Sequence, residues 1–407
     1  MEARLIEDRS LWNRFVAAAP NGHLCQTYEW AEHSPGEDAR RDSLRVGVVD
    51  DAGHLVAAML LVRSKASRVR APFYYAPRGP VCADPHSPAL PLLMALARRE
   101  CRRRHAFMIR AEPNVPEDDT EWPRVLRALG FRPTQHQIYL RSAWVTDIRP
   151  SEDQLLANMM MTWRQNIRAG YRKCLTARTA SSEADLAAFH RLLVETGERD
   201  RFPVYPQYVF ADMLRNYSAE RAARDATGEM ALIMIEHEGE PIAAGIVAAF
   251  GKGSWSMMCG SSGKPEHRKL RPNYLLQWES MRWSKSHGAE FYDFRGIPDR
   301  LEPGEEMYGV YEFKRGFGGA VHRVLPTQDL VLRPAIYWPY VAAVTLRREM
   351  QQRQRRRFEE RRRLERERRE SNASEVAAKS PPSTSTTLAG RIAPAGEPTQ
   401  ERPVSGD

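Results

Sequence analysis

Asp293 and Lys314 lie fewer than thirty residues apart in the sequence. The carboxylate of Asp293 and the amine of Lys314 could bind or stabilise charged groups of a bound molecule. Asp293 interrupts the aromatic run 291–297, and rings of this kind fit a pleated, half-buried strand. An acid in such a run costs free energy unless it is paired, so we expect Asp293 at a strand end or facing a polar cleft. The alternative is an Asp that caps the turn at Gly296. Lys314 follows in segment 311–319, which ends in glycine turns, and the whole stretch is predicted to hold a ligand.

Two stretches of the chain share an order of strand, helix and strand that would position these residues. The first copy covers residues 53–62, 88–104 and 106–113, and the second covers residues 239–248, 271–286 and 289–296. In each copy a turn glycine starts the first strand, and the last strand ends in a charged residue followed by a Gly or Pro break. This alternation predicts an α/β (α+β) protein with two tandem domains around mixed sheets. The alternative is a chance likeness between two α/β halves.

Domain limits follow from local breaks and from composition. A proline break and a helix start at Ser151 place one boundary near residue 150, giving domains 1–150 and 151–319. Residues 346–370 are rich in Arg and Glu and predict a charged helix. Residues 371–407 are rich in Ser, Thr, Pro and Ala, and we expect them to be disordered.

The positive charge of the chain is concentrated near its end. Residues 346–370 hold twelve Arg and six Glu, a surplus of +6 out of the net +9. About +4 remains for residues 1–345, which is mild for a nucleic-acid-binding protein. The Arg-rich helix is either a solvated, salt-bridged element or a surface for anionic lipid or RNA phosphates.

Several classes of protein are disfavoured by the sequence. No run reaches the roughly 18 to 20 apolar residues of a membrane span, and the acidic N-terminus lacks a secretory h-region. The five cysteines are far apart with no C-x-x-C spacing, and the histidines show no metal-ligand spacing. We therefore expect a cytoplasmic protein with reduced thiols and no metal.

A set of short motifs, in order along residues 20–330, resembles the FemABX family of non-ribosomal peptidyltransferases. The first half contributes residues 25–30, 75–81, 110–113 and 129–131, and the second contributes 162–167, 196–202, 260–262, 271–276 and the two segments around Asp293 and Lys314. The resemblance implies two tandem GNAT-like acyltransferase domains, with the chain after about residue 320, through 345, returning to complete the first. It also implies transfer of an amino acid from aminoacyl-tRNA to the stem peptide of a lipid-linked or nucleotide-linked peptidoglycan precursor, with the aminoacyl-tRNA as co-substrate and no further cofactor.

The implied reaction is attack of an amine on an ester carbonyl through an oxyanion that a fixed positive charge would stabilise. Lys314 matches the lysine of the family's Phe-Lys motif, and the alternative is a plain surface lysine in a strand. Phe313 is expected to wall the terminal adenosine or the ester, or else to be a core ring. Glu112 and Asp293 are candidates for the base that takes the amine's proton. A salt bridge from Glu112 to Arg78 or Arg110 is the non-catalytic alternative.

The resemblance assigns further residues to substrates. Those matched to the precursor site are Arg201, Tyr205, Arg199, Trp30, Arg78, Gly79 and Trp255, the last standing where the family often has tyrosine. Those expected to touch tRNA by charge are Lys269, Arg271 and Arg315. A solvated loop or a core position is the alternative for several of them, notably for Trp30.

Two rival functions remain. An acyl-CoA-dependent N-acyltransferase of this fold would cradle pyrophosphate with a Gly-rich turn, and residues 266–274 and 84–88 contain no glycine. A non-catalytic protein could use the Arg-rich helix to bind RNA or membrane, which the mild charge of residues 1–345 disfavours. A related hypothesis places that helix against anionic lipid at the inner membrane face, at about 1 kcal/mol per Lys or Arg.

Overall fold

The computed structural model describes residues 1–32, 42–66, 69–180, 182–305, 307–350 and 353. Its strands form two seven-stranded mixed sheets within the described residues. The strands of the first sheet are β1 (Glu2–Leu5), β2 (Leu44–Val49), β3 (Leu55–Lys65), β4 (Pro72–Arg78), β5 (Met108–Pro113), β6 (Phe131–Pro133) and β14 (Gln328–Val331). Those of the second are β7 (Ser142–Asp147), β8 (Leu175–Thr179), β9 (Glu229–His237), β10 (Glu240–Phe250), β11 (Gly253–Ser261), β12 (Phe291–Gly296) and β13 (Ala320–Arg323).

Helices pack on both sheets. They are α1 (Arg9–Ala18), α2 (Ala89–Arg103), α3 (Glu121–Ala128), α4 (Glu152–Asn158), α5 (Met161–Arg172), α6 (Glu183–Asp200), α7 (Gln207–Asn216), α8 (Ala219–Asp225), α9 (Pro265–Leu270), α10 (Pro272–Ser286) and α11 (Tyr308–Arg315). Short 3-10 helices cover Leu24–Gln26 and Tyr28–Ala31. Serine starts several of these helices: Ser151 and Ser182 form capping boxes that satisfy the free amides of the first turns of α4 and α6.

The internal repeat is visible in the strand orders, which are β1-β2-β3-β4-β5-β14-β6 and β13-β7-β12-β11-β10-β9-β8. Each sheet contains one parallel pair, β4 with β5 and β11 with β12. Helix α2 joins the first pair, and α9 and α10 join the second. The two stretches that the sequence singled out are β3, α2 and β5 in one half and β10, α10 and β12 in the other. The prediction of two mixed sheets in tandem is confirmed.

The two halves exchange one strand each. β14 inserts between β5 and β6, while β7 inserts between β12 and β13. A boundary near residue 150 would leave β7 in the first domain. Among the described residues, however, β7 pairs only with strands of the second sheet. The cause is packing, since Trp144 of β7 is buried in the second core and its indole Nε1 donates to the Gly318 carbonyl at 2.8 Å. β13, at residues 320–323, likewise lies in the second sheet, and only β14 returns to the first.

Apolar side chains also join the halves. One buried cluster combines Trp12, Leu24 and Leu60 of the first half with Phe189 and Ile246 of the second. Two other clusters lie within the separate halves. Residues 1–340 accordingly form one compact unit.

Beyond this unit, residues 341–350 and 353 are described, and they are helical. The rest of the predicted Arg-rich helix 346–370 and the predicted tail 371–407 lie outside the described residues.

A buried ion pair holds the returning strand in place. Arg110 of β5 donates from Nε and Nη2 to the two carboxylate oxygens of Asp329 on β14, at 2.7 and 2.8 Å. The side chains are 4% and 0% exposed. Arg110→Met should lower the free energy of unfolding by about 3–5 kcal/mol, because it leaves a buried carboxylate without its cation. Urea denaturation measures this loss.

Arg149 provides a matched control, since it also makes a two-pronged pair, with Asp147, but at the surface. Arg149→Met should cost much less, because an exposed ion pair contributes little to stability. Equal losses in the two variants would contradict the account of the strand exchange.

Candidate active site

A cleft opens where β4 and β12 end and β7 begins, beside the loop 138–141. Two adjoining cavities of about 240 and 330 Å³ share the lining residues His23, Arg78, Ala143 and Asp293. The smaller cavity is also lined by Tyr139, Arg295 and others, and the larger by Trp255, Phe291 and His322 among others. Both halves of the chain contribute side chains, so the site depends on the way the halves join.

Two arginines give this cleft its charge. Arg78 and Arg295 both end their strands with left-handed backbone, at φ of 59° and 66°. Arg78 Nη2 donates to the Leu140 carbonyl at 3.0 Å, and the Arg295 guanidinium lies 5.5 Å from the centre of the Tyr139 ring. Guanidinium groups stay charged at any physiological pH. The cleft therefore suits an anionic ligand.

His23 adds no charge to the cleft. Burial, followed by the charges of Arg78 and Arg295, holds the pKa of its imidazole well below the usual value. Its Nδ1 accepts a hydrogen bond from the Cys25 amide at 3.0 Å, which leaves the ring proton on Nε2. The ring lies 4.8 Å from Trp255, whose side chain is 3% exposed and walls the larger cavity.

Asp293 is the carboxylate of the cleft. Its Oδ1 accepts from the Arg295 amide at 2.6 Å, and the residue lines both cavities. The structure thus combines the two expectations for this residue, since Asp293 supports the turn toward Gly296 and also faces a polar cleft. β12 confirms the strand predicted over the aromatic run.

Lys314 contacts the backbone of Arg295 and Gly296, two residues of the smaller cavity's lining, although its own side chain is not part of the lining of either cavity. It is on helix α11, so the alternative of a surface lysine in a strand is wrong. Its Nζ donates to the Gly296 carbonyl at 2.7 Å and to the Arg295 carbonyl at 3.3 Å. Burial lowers the pKa of the Lys314 ammonium to about 8, and the nearby Asp293 charge limits the shift. An ammonium has three protons, and those two bonds use two of them.

An aromatic cluster positions α11. Phe313 is half-buried and packs edge-on against Tyr274 and Phe317, at 5.2 Å from each ring. The indole Nε1 of Trp163 donates to the Phe313 carbonyl at 2.9 Å. These contacts show that Phe313 packs within the aromatic cluster, directly before Lys314 in the chain.

Gly316 is required where α11 ends. A Cβ added there would lie 2.1 Å from Cε2 of Trp163, closer than any side chain allows. Gly316→Ala should push α11 away from Trp163, destabilise the fold by about 1–3 kcal/mol and reduce activity through the displaced Lys314. Thermal unfolding and an activity assay measure the two effects. Gly309→Ala on the same helix has nothing within 4 Å of the added Cβ and should be neutral or slightly stabilising; a similar loss there would contradict this explanation.

Glu112 is buried and does not line either cavity. Its carboxylate accepts hydrogen bonds from the Tyr75 hydroxyl at 2.5 Å, the Ile138 and Tyr139 amides at 2.5 and 3.1 Å, and the Thr327 hydroxyl at 3.1 Å. The alternative, a salt bridge from Glu112 to Arg78 or Arg110, is wrong, because Arg110 pairs with Asp329 and Arg78 donates to the Leu140 carbonyl. Glu112 holds the loop that carries Tyr139, and through that ring it supports Arg295.

Several predicted substrate residues lie outside the two cavities. Arg199, Arg201 and Tyr205 are exposed near the end of α6, where Arg199 pairs with Asp200 at 3.1 Å. Trp30 is 7% exposed within the core shared by the halves. A Cβ at Gly79 would meet the Gln26 side-chain amide at 2.8 Å, so this glycine allows a close internal contact.

The residues predicted to touch tRNA divide into two groups. Arg315 pairs with Glu312 at 3.0 Å, which reduces its free charge. Lys269 is exposed on α9, and Arg271 donates to the Asn166 side-chain oxygen at 3.0 Å.

Sequence reasoning missed His23, Tyr139 and Arg295 as parts of the site. Arg295 had a usable signal, since it occupies the place in the second copy of the repeat that Glu112 occupies in the first. His23 and Tyr139 reach the cleft only through long-range packing.

Within the described ranges, no cluster of three or more His, Cys, Asp or Glu side chains is arranged to hold a metal ion. No helix in the same residues combines the length and apolar character needed to cross a bilayer.

Comparison with known proteins gives consistent matches. The model of the FemAB family matches residues 8–123 and 214–345. A lipid II:glycine glycyltransferase of Staphylococcus saprophyticus is 24% identical over 83% of this chain and 94% of its own length. A second, from Staphylococcus aureus, is 24% identical over 79% and 91%. The crystal structure of FemX aligns with 83% of this chain and 99% of its own at 21% identity and a TM-score of 0.73, which confirms the predicted tandem GNAT-like fold.

Proposed function

This chain belongs to the FemAB family, and we propose that it is an aminoacyltransferase that moves an amino acid from aminoacyl-tRNA to the stem peptide of a peptidoglycan precursor. The acyltransferase class agrees with its relatives, which are named lipid II:glycine glycyltransferases. The aminoacyl-tRNA is the donor in this proposal, and no additional cofactor is required.

The position of Lys314 carries the proposal. In the reaction, the acceptor amine attacks the ester carbonyl, a C–N bond forms, and the C–O bond to the ribose breaks. The negative charge that develops on the carbonyl oxygen needs a fixed donor, and Lys314 has one ammonium proton beyond those given to Arg295 and Gly296. With a pKa of about 8, this lysine is mostly protonated at pH 7.

Asp293 is the proposed proton acceptor. An attacking amine must lose a proton, and a carboxylate in the cleft can take it as the C–N bond forms. The proton then leaves with the ribose oxygen. Asp293 lines both cavities, whereas Glu112 is occupied by donors from four groups.

Arg78 and Arg295 are proposed to hold the acceptor. Lipid-linked and nucleotide-linked precursors share a diphosphate and a stem peptide with carboxylates, and guanidinium groups bind both kinds of oxyanion in a two-pronged manner. We place the reaction in the cytoplasm, where the Arg-rich residues 346–370 would add peripheral attraction to anionic lipid.

The experiment that tests this function offers the full-length protein each class of donor with each class of acceptor. Pools of charged tRNA and, separately, acyl-CoA are incubated with nucleotide-linked or lipid-linked precursor, and the product mass is followed. We expect the precursor to gain the mass of an amino acid residue only with charged tRNA. Transfer from acyl-CoA, with none from charged tRNA, would overturn the proposal.

A further inference from the structure

A strongly basic surface lies on α5 and α9, outside the cavities described above. Arg164, Arg168 and Arg172 recur at every fourth position of α5 and so form one stripe along it. Four more cations adjoin this helix: Lys173, Arg268, Lys269 and Arg271. We call these seven residues the α5–α9 basic face. Six of the seven are exposed, and Arg164 is half-buried.

The charges of this face are not neutralised by the protein. Within the described part of the chain, none of the seven has a carboxylate within ion-pair distance. The contacts that they do make are to neutral groups: Arg164 to the Ala157 carbonyl at 2.8 Å, Lys173 to the Lys269 carbonyl at 3.3 Å and Arg271 to Asn166. Arg282 on the adjoining α10, by contrast, pairs with Glu152 and Glu279. Unpaired cations in one place create a local positive potential that attracts a polyanion.

The stripe points toward the catalytic lysine. Trp163, next to Arg164, donates to the Phe313 carbonyl, and the Met160 amide donates to the Gly316 carbonyl at 2.9 Å. The N-terminal end of α5 therefore touches the helix that carries Lys314. From Arg164 to Arg172 the helix extends about 12 Å, enough for several phosphates of a nucleic-acid strand.

We propose that the α5–α9 basic face binds the phosphate backbone of the donor RNA near its acceptor end and directs the 3′ terminus to Lys314. This inference rests on the proposed function, since it names the surface that holds the donor. Phosphate contacts of this kind fix position without reading sequence. A lipid surface would not require a line of cations that ends at the active site.

The test removes two charges and measures RNA binding. Arg168→Gln/Arg172→Gln is compared with Arg102→Gln/Arg127→Gln, in which two exposed arginines of the first half are lost. Fluorescence anisotropy with uncharged tRNA is recorded at several salt concentrations. Arg168→Gln/Arg172→Gln should bind tRNA about tenfold more weakly than the wild type does. The dependence of its tRNA affinity on salt should fall by the equivalent of about two phosphate contacts, while the control should bind tRNA as the wild type does.

A second readout separates this inference from the proposed function. With aminoacyl-tRNA as donor, Arg168→Gln/Arg172→Gln should raise KM and leave kcat unchanged. With aminoacyl-adenosine, which is too short to reach the face, its rate should equal that of wild type.

Three outcomes would count against the account. Equal tRNA affinity in the two double variants overturns the inference. The inference is also overturned if Arg168→Gln/Arg172→Gln loses binding to phosphatidylglycerol vesicles and keeps its affinity for tRNA, because the face would then bind lipid. A wild-type protein that transfers from no aminoacyl-tRNA overturns the proposed function instead, and the binding comparison still decides whether the face holds RNA.

Discussion

Replacing Lys314 with methionine should slow transfer by about 10²–10³-fold, the loss expected when one donor to a developing oxyanion is removed. The free energy of unfolding should change by less than about 1 kcal/mol, because two effects oppose each other. The variant loses hydrogen bonds to the Gly296 and Arg295 carbonyls, but it also removes an ammonium that burial disfavours. Single-turnover transfer and urea denaturation measure the two quantities.

The sign of the second effect follows from the pKa. The ammonium has an ordinary value of 10.5 and a value of about 8 in the folded protein, so the unfolded chain binds the proton more tightly. The cost of burying the charge is full below pH 8 and disappears as the pH rises from 8 toward 10.5. At pH 7 the methionine variant therefore lacks the free-energy cost of burying the ammonium, which the wild-type protein has.

Lys285 provides a matched control for Lys314. Its ammonium also donates to backbone carbonyls, those of Ile148, Arg149 and Pro150 at 2.8–2.9 Å, but away from the cleft. Lys285→Met should lower stability and leave the transfer rate of the folded protein intact. Equal losses of transfer in the two variants would mean that Lys314 acts only by holding the backbone.

The pH dependence gives a separate check on the same residue. Lys314→Arg keeps its charge at all accessible pH values, whereas the wild-type lysine loses its proton as the pH rises through about 8. The ratio of the wild-type rate to the Lys314→Arg rate should therefore fall across that range. A constant ratio would contradict a role for the ammonium.

Asp293→Asn is expected to lower the transfer rate by about 10²–10⁴-fold, the usual contribution of a general base. Asparagine keeps an oxygen that can accept from the Arg295 amide, as Oδ1 of Asp293 does at 2.6 Å, so the strand end should retain its shape. The change removes the group that takes the proton of the amine. Transfer kinetics and circular dichroism measure the two effects.

Glu112→Gln separates the two carboxylates. Its amide would turn a donor toward one of the four groups that now donate to Glu112, which should destabilise the protein by about 1–3 kcal/mol. The effect on the rate should be smaller than that of Asp293→Asn. A larger loss of rate with unchanged stability would make Glu112 the base.

The features that could be predicted from the sequence are those with local signals. The strand that contains Asp293, the two copies of strand, helix and strand, and the polar surroundings of Asp293 all follow from residue type and spacing. The helix that carries Lys314 could not be predicted in the same way, because its aromatic residues also suit a strand. Contacts from Trp163, which lies 150 residues away, fix the helical choice.

The exchanged strands show a second limit of prediction from sequence, which is that the partners in long-range contacts cannot be identified. Arg110 and Asp329 are 219 residues apart, and nothing in the sequence around either residue names its partner. The same holds for Glu112, whose donors come from Tyr75, from residues 138–139 and from Thr327. Arg201 and Tyr205 stay predictions, since the resemblance assigns them to the substrate and the structure places both residues exposed, outside the lining of the two cavities.

The most direct measurement is a crystal structure of the protein with a hydrolysis-resistant aminoacyl-adenosine, in which an amide replaces the ester. The account predicts the carbonyl oxygen about 2.7–3.1 Å from Nζ of Lys314, with the acceptor side of the carbonyl open toward Asp293 and the cleft. A ligand bound in the cleft with its carbonyl out of reach of Lys314, or bound elsewhere on the protein, would contradict it.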